Sequence, residues 1–272
     1  MCEFCTKHGE GKKWYEVMAY YNKELANEPK RNAYIQGFVP GISKNATATM
    51  SRLSTLKSKI PYAYRFIRKI GTMHMKRTHY GQVIPIEDAL EIVARTDSIT
   101  RVACVCRSVT TGNNNARYCL LLGIDPSGLI DGWTNLTKSL ETLTVKQAQL
   151  ALLDYEQKGL VHSVWTFESP FIGALCNCDR DCLAYRFQVS GDLLDVMFKG
   201  EYFAEISQDA CIGCRKCMQY CQFGAIEYSV GRQKCQINVN KCYGCGICRV
   251  GCKKNAITLQ DKYVMATHPT SL

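Results

Sequence analysis

Nowhere in the 272 residues is there an uninterrupted apolar run near the ~20 needed for a helix to cross a bilayer. The opening residues, Met1-Cys2-Glu3-Phe4-Cys5, have neither the basic n-region nor the apolar core of a secretory signal, so a cytoplasmic protein is expected. No G-x-G-x-x-G follows a strand-like segment and there is no P-loop, which leaves flavin, NAD and ATP binding without support. Acidic side chains are absent from Met50 to Tyr80, a stretch that carries Arg65, Arg68, Lys69, Lys76 and Arg77 among its basic residues. Over the whole chain 34 Lys and Arg outweigh 24 Asp and Glu, a net charge of +10. Such a charge admits nucleic acid as a partner. Nucleic acid is not the expected partner, because another chemistry accounts for most of the informative residues.

That chemistry is carried by cysteine, of which there are 17. Without a secretion signal this many thiols point to metal rather than disulfides. Cys211, Cys214, Cys217 and Cys221 form a C-x2-C-x2-C-x3-C run, and Cys242, Cys245, Cys248 and Cys252 repeat it 31 residues later. Ala225 and Ile226 recur at the same offset as Ala256 and Ile257. In such a run three thiolates from one tight loop hold three irons of a cubane, and the fourth reaches across to the other cluster. One [4Fe–4S] cluster is therefore assigned to Cys211, Cys214, Cys217 and Cys252, and a second to Cys242, Cys245, Cys248 and Cys221. Zinc ribbons, by contrast, use paired C-x2-C motifs separated by longer loops.

Over about residues 201–260 these motifs resemble the bacterial-type two-cluster ferredoxins. The resemblance implies an electron-transfer role. It departs from that family at Gln222 and Lys253, which stand where a proline usually follows the fourth cysteine.

Eight more cysteines lie upstream, and Cys235 stands alone between the repeats. Cys2, Cys5 and His8 form one ligand-rich spacing. Cys104, Cys106 and Cys119 form a second group, and Cys176, Cys178 and Cys182 form a C-x-C-x3-C. Each triad lacks a fourth ligand, which Cys2, Cys5 or His8 could complete. One or two further [4Fe–4S] clusters, or zinc, are the expected occupants. These upstream motifs, with the sequence around His8 and Pro170, resemble a group of anaerobe proteins described as 4Fe–4S ferredoxin iron–sulfur binding proteins. That resemblance supports redox work and names no substrate.

The fold expected is α+β, with a mixed helical N-terminal domain of short strands over 1–200. A dicluster ferredoxin-like domain follows over 201–260, and a tail over 261–272. Apolar spacing predicts a helix from Lys12 to Asn27, a connecting segment from Pro29 to Gly41, and a basic amphipathic helix interrupted by Pro61. Ile99 to Arg107 alternates as a strand should, with Cys104 and Cys106 on one face. Thr144 and Gln147 make a capping box for a helix that ends at Gly159. The function expected is a relay of single electrons to or from a larger redox enzyme. Its basic segment would dock an acidic partner, with peripheral contact to an anionic membrane as the other use of such a helix. The alternatives are an oxidoreductase whose N-terminal domain holds a substrate-binding cluster, and a redox sensor.

Overall fold

The computed structural model describes residues 29–124, 140–168 and 171–262. The helix expected at Lys12–Asn27, together with Cys2, Cys5 and His8, lies outside the described residues.

The chain enters on α1 (Pro29–Lys59), so the segment 29–41 is helix rather than connection. Ile35, Val39 and Ala46 are buried along one face of it. Pro40 lies inside, where a proline costs roughly 3 kcal/mol. Burial of that face against the sheet offsets the cost, a tertiary gain that local turn signals do not register. Pro61 then separates α1 from α2 (Pro61–Thr78), as expected, and sits in the first helical turn where its missing N–H is harmless. Tyr64 of α2 is buried and donates to the carbonyl of Leu193 at 2.9 Å.

Seven strands follow in one sheet: β1 (Gly81–Val83), β2 (Ile99–Val102), β3 (Cys119–Leu122), β4 (Glu141–Leu143), β5 (Val161–Thr166), β6 (Ile172–Cys178) and β7 (Met197–Phe198). Their order is β4-β2-β3-β6-β5-β1-β7, with every pair antiparallel except β1 with β7. All six residues of β5 are buried, because the sheet is covered on both faces. On one face Leu120, Leu122, Val164 and Leu175 pack against α3 (Ile86–Ala94) and α5 (Val145–Gln157). The capping box of Thr144 and Gln147 is formed at the start of α5. On the other face Val102, Leu121, Val161, Trp165 and Ala174 pack towards Ile35 and Val39 of α1.

The strand expected from Ile99 to Arg107 stops at Val102, and α4 (Val105–Thr111) begins at once. The N–H of Cys104 turns away to the carbonyl of Ala116, and Gly112 closes the short helix in the left-handed conformation. Alternation over so few residues cannot outweigh a short helix closed by its Gly112 cap, where the Thr110 and Thr111 hydroxyls bond back to the carbonyls one turn earlier.

After α6 (Leu183–Tyr185), a single wide turn (Arg186–Ser190) and β7, the cysteine repeat builds two small antiparallel sheets. β8 (Tyr202–Ile206) pairs with β11 (Ile257–Asp261), and β9 (Ile226–Ser229) pairs with β10 (Lys234–Ile237). This unit is fastened to the larger sheet. Arg249 grips both carboxylate oxygens of Glu87 at 2.6 and 2.9 Å, Tyr202 donates to Asp88, and Ile247 is fully buried in the α1-side core. Among the described residues both helix and strand are well represented, so the α+β expectation holds.

Candidate metal centres

The two cysteine runs form two separate cavities. Cys211, Cys214 and Cys217 line the first together with Cys252, which comes from the far end of the other run. Cys242, Cys245 and Cys248 line the second together with Cys221. Their volumes are about 190 Å³ and about 20 Å³. Gly213 and its repeat partner Gly244 both have φ near +70°, at 67° and 71°. A Cβ at either would strike a backbone carbonyl, of Gln233 in one case and Tyr202 in the other.

Backbone amides are aimed at the sulfurs. Ala225 N–H donates to Cys221 Sγ at 3.2 Å and Ala256 N–H to Cys252 Sγ at 3.3 Å, the same contact in each repeat. Ala204 and Gly244 both donate to Cys242 Sγ at 3.4 Å. Amides in this position favour anionic sulfur. Burial pushes the Cys217 and Cys245 thiols up to about 12, so a cation taking these ligands must displace their protons.

The surroundings differ. Arg215, Lys216, Lys253 and Lys254 line the first cavity, whereas the described residues lining the second include no Lys or Arg. Cys235 is 1% exposed, lines the first cavity and hydrogen-bonds with Cys217. It stands outside the spacing of both runs, and only its place opposite the first loop on β10 reveals it.

Upstream, the sheet merges the two predicted triads into one group. Cys119 on β3 is paired in register with Cys176 on β6, and Val161 opposite Cys178 keeps that thiol on the same face. Cys119 Sγ lies 3.4 Å from Cys104 Sγ. Hydrogen bonds then link Cys119, Cys176, Cys178 and Cys182 in turn, and Cys106 lies close enough to Cys178 and Cys104 to feel their charge. Six thiols thus meet where α4, β3, β6 and the turn before α6 converge.

Arg107, only 4% exposed, stands among them. It donates to Cys104 Sγ at 3.5 Å, to the carbonyl of Asn177 at 3.3 Å and to Asp179 at 2.7 Å, and it lies 4.7 Å over the Tyr118 ring. Hydrogen bonds from Cys176 and Cys182, with Arg107 adding its charge, hold the Cys178 thiol well below its ordinary range. A buried guanidinium among thiols fits a site whose sulfurs carry negative charge. Among the described residues no three His, Cys, Asp or Glu groups close around a point as a single metal ion requires.

The upstream group is tied to the second cavity through Gln222, the residue after Cys221. Its Nε2 donates to the carbonyls of Gly159 at 2.6 Å and Cys178 at 3.4 Å. A proline in its place could make neither contact.

Of the basic residues on α2, Arg65, Lys69 and Arg77 are exposed. Arg68 is paired with Asp192 and Asp195 at the surface, and Lys76 lies 5.0 Å over the Phe198 ring. Beside the exposed cations run Tyr62, Phe66 and Ile70, at i, i+4 and i+8, with exposures of 89%, 69% and 50%. No described helix is long and apolar enough to cross a membrane.

Residues 204–227 match the family model of the 4Fe-4S binding domain. The match covers the end of β8, the first cysteine run and the start of β9. The chain therefore carries a ferredoxin-type iron–sulfur domain suited to electron transfer. No curated protein matches the chain.

Proposed function

We propose that this chain is an electron relay of three iron–sulfur centres. Cys211, Cys214, Cys217 and Cys252 hold one [4Fe–4S] cluster, and Cys242, Cys245, Cys248 and Cys221 hold another. Four of the six upstream thiols hold the third. The observation that carries the reading is the crossing of the fourth cysteine into the opposite cavity in both repeats. The clusters, when bound, supply reversible one-electron chemistry with little change of shape. The protein's part is to hold thiolates, aim amides at them and set the surrounding charge.

That charge is unequal. The cations around the first cavity favour the reduced, more anionic state there, and Cys214 is exposed. The lining of the second cavity has no such cations among the described residues. The first centre should therefore have the higher potential and hold the electron at equilibrium. Gln222 makes the short connection from the second centre to the upstream group. The exposed face of α2, basic residues beside an apolar row, suits a protein partner with an acidic, partly apolar surface.

Counting iron and acid-labile sulfide on anaerobically prepared protein tests the scheme. Three cubanes require about twelve irons per chain, whereas two would give about eight and would remove the upstream centre. Cys221→Ser should alter the spectroscopic signature of the centre held by Cys242, Cys245 and Cys248, and spare the other. A change confined to the Cys211 centre would overturn the crossed assignment.

A further inference from the structure

We infer that the cavity between α1, α2 and the sheet binds a small, uncharged, flat aromatic molecule bearing a hydroxyl or N–H donor. The cavity holds about 780 Å³, against about 190 Å³ and about 20 Å³ for the two cavities of the cysteine repeat. A third cubane at its thiol end would take a minor part of this space. The remainder is in the range of small-molecule sites.

Its walls state the chemistry. Phe38 meets Phe167 edge-on at 4.9 Å and 86°, and the His79 ring stacks on Trp165 at 4.9 Å and 23°. Ring faces and edges in this arrangement favour a flat aromatic guest. The described lining residues include no Lys or Arg, and their one carboxylate is Glu168. A phosphate or carboxylate ligand would enter without a counter-charge, which a buried site penalises heavily.

His79 adds direction. Its Nδ1 lies 2.6 Å from the carbonyl oxygen of Thr166, which can only accept, so Nδ1 carries the proton and Nε2 keeps the lone pair. Nε2 is therefore the acceptor of this wall residue, and a ligand that reaches it must donate.

Gly37 and Gly41 of α1 also line the cavity, and a Cβ at either would meet nothing within 4 Å among the described residues. Each glycine weakens the helix by about 1 kcal/mol relative to alanine, with no close packing among the described residues to explain it. Their effect is to keep the wall clear.

Cys106, Cys119, Cys176 and Cys178 line the same cavity, so a bound molecule lies against the upstream thiols. Delivery of electrons to it rests on the third centre proposed above; the binding site itself does not.

The test is calorimetric titration of the iron-loaded full chain with 2-naphthol and, as the anionic control, 2-naphthoate, with iron counted on the same sample. Naphthol should bind about 100-fold more tightly than naphthoate, the loss expected for burying an unpaired charge. Gly37→Phe and Gly41→Leu should each weaken naphthol binding at least about 10-fold by filling the wall. The thermal midpoint should not fall, since either residue is a better helix former than glycine. Naphthol binding with about eight irons per chain would sustain the site and refute the third centre. About twelve irons with no naphthol binding, equal affinity for naphthoate, or full affinity in both glycine variants would overturn the site.

Discussion

If the upstream thiols hold the third centre proposed above, replacing Arg107 by glutamine should lower its potential by about 120 mV, and it should destabilise the fold by roughly 3 kcal/mol. The first figure follows from removing one positive charge roughly 6 Å from the added electron at an effective dielectric near 20, about 2.8 kcal/mol. A one-electron couple moves about 59 mV for each 1.4 kcal/mol. The second figure follows from the burial of the guanidinium. Its removal strands the Asn177 carbonyl and leaves Asp179 without its partner beside the thiols. Arg107→Lys keeps the charge and loses the fork that reaches Cys104, Asn177 and Asp179 together, so it should recover most of the potential and less of the stability. A redox titration monitored by electron paramagnetic resonance, with denaturant unfolding of the same variants, reads both. An unchanged potential in the glutamine variant would mean that the arginine does not balance charged sulfur.

Acidification from pH 7 towards pH 4.5 should cost the fold several kcal/mol before its carboxylates matter. His79 and His162 are held neutral by burial, each with its pKa lowered to about 4 from 6.5. Below about pH 6.5 the unfolded chain takes up protons that these folded rings refuse. Stability is therefore complete above that value and is lost as the pH falls through about 4. The difference is worth about 3 kcal/mol for each ring. Glu87 and Asp192, whose pKa values are lowered below the usual carboxylate range, act in a more acidic window. Among the described residues His162 makes one ring hydrogen bond, to Asn177 at 2.6 Å, and its Nε2 has no partner, so His162→Gln should flatten the profile. Denaturant midpoints measured every half pH unit check this. A midpoint that stays level between pH 7 and pH 5 would exclude both rings as the cause.

The parts of the molecule legible in the sequence are those whose information is local. The repeat announces itself because four thiols lie within eleven residues, twice. The capping box at Thr144 and the break at Pro61 are similarly short-range signals. The seven-stranded sheet was not legible. Its strands are two to seven residues long, and β3 pairs with a strand more than fifty residues away. That register, which no periodicity encodes, turns two incomplete cysteine triads into one set of six. The helix at Pro29–Gly41 was hidden by turn formers whose cost is offset by a buried face. Cys235, Gln222 and His79 acquire meaning only from what lies across from them in space. Gln222 was visible as a missing proline, but the carbonyl of Cys178 that it reaches was not.

The different origins of the thiols also bear on the order in which the protein matures. Each ferredoxin-type loop brings three ligands together over seven residues, so a nascent chain can offer them before its fold is complete. The upstream set exists only after β3 has found β6 and α4 has turned Cys104 back onto Cys119. Pairing over such separations is among the slower events of folding. Iron delivered during synthesis would thus meet the late-synthesised repeat as a ready trap, and the early-synthesised thiols as a site still to be assembled.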